Sequence, residues 1–166
     1  MPEIPTTPLA GSAAHGVAVQ DGPVHGVAPH HAVVRGTVVH GAGRGRGLGF
    51  PTANVSPDGG TPVPPPAIYS GWLSRRTTGT VHRATISIGT NPTFCDTPEI
   101  HTEVYCHDTP GDLYGERVDL WFVARIRDTE RFGSVDELLL AAREDVRRSE
   151  ALLDSAHGRH VRAGLS

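Results

Sequence analysis

A chain of 166 residues is long enough for one domain with a real core and too short for two. A formal charge of −3 and 5% aromatic content argue against a nucleic-acid surface, which needs basic and stacking residues interleaved. All 15 basic residues are arginine, so the lysine required by a Walker A loop or a protein kinase is missing. Two cysteines, Cys95 and Cys106, are too few for a disulfide framework and form no Cys-x-x-Cys pair. No apolar run approaches the ~20 residues needed to span a bilayer. The N-terminus has no signal-peptide pattern, and a cytoplasmic protein with free thiols is expected.

Residues 1–31 are rich in Pro, Gly, Ala and His without apolar periodicity, and read as a flexible leader. His15, His25, His30, His31 and His40 are irregularly spaced and supply no closed ligand set, so they read as solvated histidines. From residue 32 short strand patterns begin. Ala32–Val39 is β-branched, Ile68–Leu73 follows a Pro-rich stretch from Pro62 to Pro66 that is expected to cross the surface, and Val81–Ile88, Glu103–His107 and Arg117–Val123 alternate. Short strands separated by Gly and Pro turns indicate an antiparallel barrel or sandwich. Ser134 with Glu137 forms a capping box. Val135, Leu138, Leu139, Ala142, Val146 and Leu153 then recur at helical spacing, which predicts an amphipathic helix over about 135–154 with its charges on a solvated face. The domain is expected to span 32–156, with 157–166 as a tail.

Between the first two strand patterns lies Gly-Ala-Gly-Arg-Gly-Arg-Gly-Leu-Gly-Phe-Pro-Thr-Ala-Asn, residues 41–54. Its glycines allow successive N–H groups to converge on an anion, with Arg44 or Arg46 adding charge, or else they make a mobile turn. Thr52 and Asn54 point to the same face of an extended segment. Their oxygens suit a hard cation whose remaining ligands are phosphates and water, although Pro51 and Asn54 are equally compatible with ordinary turn chemistry. Ile88-Gly-Thr-Asn-Pro-Thr-Phe94 follows, and then Glu103. A carboxylate on a β-branched strand accepts a proton from an alcohol if it faces a pocket, and otherwise is an exposed strand residue. Asp112-Leu-Tyr-Gly115 reads as a turn whose Tyr114 can cover a base. Arg125-Ile-Arg127 with Phe132 either holds a planar ligand or ends a strand.

Together and in this order, these segments resemble the riboflavin kinase (flavokinase) family, over roughly residues 33–153. The resemblance implies a mainly β fold, a six-stranded antiparallel Greek-key barrel with a C-terminal α-helix. It also implies transfer of the γ-phosphoryl of ATP to the riboflavin 5′-hydroxyl, giving FMN and ADP. Carried over residue by residue, Thr52 and Asn54 hold Mg²⁺ and the ATP phosphates. Gly41, Gly43, Arg44, Gly45 and Arg46 cradle the nucleotide, and Cys106 and Tyr114 lie on its adenine side. Glu103 is the general base, and Arg127, Glu130 and Phe132 hold the flavin. The chain departs from the family at Tyr105, where a histidine is common, at Ala67, where glycine is usual, and at Arg46 or Gly47, where some members place a lysine. Many bacterial members carry an adenylyltransferase domain ahead of this module. Only a short leader precedes it here, so FAD synthesis is not expected. A monomer binding neither nucleic acid nor membrane is expected. The competing reading is a non-catalytic flavin- or nucleotide-binding regulatory module.

Overall fold

The computed structural model describes residues 32–41, 43–90 and 100–165. Six strands, β1 (Val33–Val39), β2 (Ala53–Pro57), β3 (Ala67–Arg75), β4 (Val81–Thr90), β5 (Ile100–Cys106) and β6 (Arg117–Arg127), close a barrel in the order β1-β2-β5-β4-β3-β6. Every neighbouring pair is antiparallel, including β1 with β6, so the barrel has no free edge. The five strands read from the sequence are all present. β2 is too short and polar for an alternation signal, and it is a strand because its backbone pairs on both sides, with β1 and β5.

Alternation decides which side chains fill the interior. On β5, Thr102, Val104 and Cys106 are buried while Glu103 and Tyr105 are partly exposed. Val34, Val38, Tyr69, Leu73, Ile86, Ile88, Leu120 and Phe122 pack into the same core, with the Tyr69 and Phe122 rings edge-on at 5.2 Å. The Pro-rich stretch does more than cross the surface: Pro64 is buried, Val63 packs on the core, and the Tyr69 hydroxyl donates to the Pro65 carbonyl at 2.7 Å.

A one-turn helix α1 (Arg44–Gly47) lies between β1 and β2, and two helices, α2 (Val135–Leu153) and α3 (Ala156–Ala163), follow the barrel. The Ser134 side chain caps α2 by accepting from the Glu137 N–H, as expected. The packing of α2 differs from its apolar pattern. Its fully buried positions are Asp145, Ser149 and Leu153, while Val135, Leu138 and Leu140 remain exposed. Serine hydroxyls join its second half to the barrel: Ser70 donates to the Ser149 carbonyl at 3.1 Å, and Ser149 donates to the Ala84 carbonyl at 3.0 Å. The segment read as a tail folds as α3, capped by Ser155 and held through buried Val161 in a second cluster with Trp72, Val123 and Leu153. Among the described residues no helix is long and apolar enough to cross a membrane.

Candidate active site

The outer face of β2-β5-β4 carries a row of polar side chains. Pairing places Asn54 of β2 and Ser87 of β4 on either side of Glu103, and Thr85 beside Tyr105. Thr52, immediately before β2, donates its hydroxyl hydrogen to Glu103 Oε2 at 3.3 Å. The glycine loop folds against this row. The Phe50 N–H donates to the Gly45 carbonyl at 2.9 Å, closing the turn around α1. A Cβ on Gly41 would sit 1.9 Å from Asn54 Nδ2, and one on Gly45 would sit 2.3 Å from the Phe50 carbonyl oxygen. At Gly45 backbone bars any side chain, and at Gly41 a side chain would have to displace the Asn54 amide.

Two cavities open on this face. The first, of about 520 Å³, has a polar floor that includes Thr52, Asn54, Ser87 and Glu103. Its other walls are Phe50 and Ile68, Arg127 with Glu130 and Phe132, and the apolar stripe Leu138, Leu139, Ala142 and Val146 of α2. Here lies the reason for the unusual packing of α2: half of its apolar face borders a cavity instead of the core. The second cavity, of about 670 Å³, runs from Arg46 and Thr52 past Cys106 and His107 to Tyr114. Thr52 and Tyr105 border both.

Arg127 is fixed from several sides. Its guanidinium makes a two-pronged bond to buried Asp145 at 2.8 and 2.7 Å, reaches Glu130 at 3.0 Å and lies 5.6 Å from the Phe132 ring centre. Burial works against its charge, but the hydrogen bonds and charge of Asp145 outweigh that effect and raise its pKa. Asp145 is therefore no member of a solvated face; it anchors α2 to the end of β6 beside the first cavity. Burial, with Asp108 adding to it, pushes the Cys106 thiol up to about 12, so this residue is a wall and not a nucleophile. Tyr114 is exposed and stacks on His40 with ring centres 4.0 Å apart. His40 thus supports Tyr114, a residue of the second cavity's wall, and does not belong with the histidines of the leader.

Most of the residues read from the sequence come together. Gly43, Gly45, Thr52, Asn54, Glu103, Arg127, Glu130 and Phe132 border the first cavity, and Arg46, Thr52, Cys106 and Tyr114 border the second. Gly43 and Gly45, expected with the nucleotide, face the first cavity, and Gly41 packs on Asn54. Arg44 lies in the turn of α1. The leader, with His15, His25, His30 and His31, lies outside the described residues, as do Cys95 and the Asn91–Phe94 half of its motif. Sequence reasoning missed Thr85 and Ser87, Tyr105 and His107 as site residues, and Asp145. The first four follow from period-two alternation about Glu103 and its β4 partner. Asp145 carries no local signal, because its partner is 18 residues away.

The sequence that builds this barrel is matched by a family model. The model described as riboflavin kinase (flavokinase) matches residues 28–153, and the chain belongs to that family. It is 34% identical over 124 residues to the riboflavin kinase of Homo sapiens, covering 72% of this chain and 79% of that one. It is 33% identical over 117 residues to the bifunctional riboflavin kinase/FMN adenylyltransferase of Listeria monocytogenes, covering 70% of this chain. The chain spans 37% of the length of that protein. Among solved structures, the riboflavin kinase of Trypanosoma brucei matches with a TM-score of 0.56 and 25% identity, covering 76% of this chain and 82% of that one.

Proposed function

We propose that this chain is a riboflavin kinase, transferring the γ-phosphoryl of ATP to the riboflavin 5′-hydroxyl with FMN and ADP as products. The observation that carries the reading is the meeting of two cavities at Thr52, with the Glu103 carboxylate in hydrogen-bond reach on one side. In this reading ATP occupies the second cavity, with its base toward Tyr114 and its phosphates toward Thr52 and Arg46. Riboflavin occupies the first. Its ring system lies between the apolar stripe of α2 and Phe132, and its ribityl chain runs along the polar floor to Glu103.

The residues present fit a magnesium ion. Thr52 and Asn54, whose side chains carry neutral oxygens, border the same cavity, and the loop approaches so closely at Gly41 that a side chain there would displace Asn54. No group of three His, Cys, Asp or Glu is found among the described residues, so the remaining ligands would be phosphate oxygens and water. When bound, the ion neutralises charge developing on the phosphates. Glu103 takes the proton of the 5′-hydroxyl as the new P–O bond forms, and Arg127, locked by Asp145, holds the acceptor in place.

Incubation of the chain with riboflavin, ATP and Mg²⁺, with flavins separated by chromatography, is expected to yield FMN. No FMN from a folded protein that binds riboflavin would instead support the regulatory module. Asn54→Ala is expected to weaken Mg²⁺-ATP binding about tenfold, the cost of one good polar contact. A magnesium dependence identical to that of the parent would remove Asn54 from the ion's ligands.

A further inference from the structure

A kinase must join its donor and acceptor sites, and the junction is also where water competes with the acceptor for the phosphoryl group. Thr52 and Tyr105 are the described residues bordering both cavities, and of the two Tyr105 has the bulk to fill space between them. Its position is set from three directions. Strand alternation puts it on the face of Glu103, two residues on, and pairing places it opposite Thr85. Its ring packs on Phe50 with centres 5.1 Å apart and on His107 at 6.0 Å. His107 is itself held, with Nε2 2.9 Å from the Thr85 hydroxyl and its side chain 5% exposed. Burial lowers its pKa, which keeps the supporting imidazole neutral and uncharged beside the junction.

We propose that the Tyr105 ring is a septum that keeps water out of the junction, so that the phosphoryl group reaches the alcohol beside Glu103 and not solvent. The proposal rests on the kinase reading above and names a coupling role for that site. With the septum removed, a water oxygen bonds to the γ-phosphorus and the bond from that phosphorus to the bridging oxygen breaks. ADP leaves with the electron pair, one proton passes to solvent, and ADP accumulates without FMN.

The test measures ADP and FMN in the same reaction of the whole chain. The parent and Tyr105→Phe, which keeps the ring, should give a ratio of about one. Tyr105→Val keeps a strand-favouring residue but removes the ring. It should raise the ADP to FMN ratio about threefold or more through admitted water. Tyr105→Ala provides a second truncation should the valine variant misfold. A ratio unchanged in a folded truncation, with both products falling together, overturns the septum and leaves the kinase reading standing. A parent that makes no FMN defeats the kinase reading, and the septum falls with it.

Discussion

Glu103→Gln is expected to lower kcat for FMN formation by about 10²- to 10⁴-fold, the usual worth of a positioned base. Riboflavin binding is expected to survive. Glutamine has the same shape, and its amide oxygen can still accept the Thr52 hydroxyl that now donates to Glu103 at 3.3 Å. Asn54 and Ser87, paired on either side of Glu103, keep their places because pairing depends on backbone. The size of the loss follows from the chemistry. Phosphoryl transfer is largely positioning and charge neutralisation, and a loose transition state acidifies the alcohol only as the new bond forms. The measurement is steady-state kinetics together with a fluorescence titration of riboflavin. Turnover near that of the parent would remove Glu103 as base, and lost affinity would make it a binding residue.

Asp145→Ala is expected to cost about 3 kcal/mol of stability, read from urea unfolding. Both carboxylate oxygens are engaged by Arg127, and the group is buried between α2 and β6. Its removal leaves a cation on a side chain that is 21% exposed, with Glu130 and the Asp128 carbonyl still in reach. The pair Arg127→Met with Asp145→Leu should regain part of that loss, since a well-packed apolar pair avoids desolvating two charges. Destabilisation below about 1 kcal/mol in the single variant would show that Glu130 and solvent already satisfy Arg127.

The fold was legible where side-chain chemistry and backbone geometry repeat at the same period. Alternation marked three of the strands, β-branched and apolar runs marked two more, and a capping box marked the start of α2, because each depends on neighbours close in sequence. β2 escaped, being five residues whose strand character comes from its partners. α3 escaped because eight residues with a Gly and two His give little helical pattern. In the site, the motif residues Thr52, Asn54 and Glu103 were legible as motifs, but not as a group. Only the pairing of β2 with β5 brings residues about fifty positions apart onto one floor. The apolar stripe of α2 was legible as a stripe but not as the wall of a cavity. Periodicity says which residues avoid water and is silent on whether protein or ligand covers them.

That stripe has a thermodynamic consequence. The second half of α2 is joined to the barrel by Ser70 and Ser149, while the first half overhangs a hollow, with Leu138 39% exposed. The helix is thus a cantilever whose free arm has no apolar layer beneath it. In the kinase reading a planar acceptor supplies this layer and becomes, while bound, a removable piece of hydrophobic core. Binding energy and folding energy are then drawn from the same surface, and ligand at 100 times its Kd would add about 2.7 kcal/mol to the stability of the folded chain.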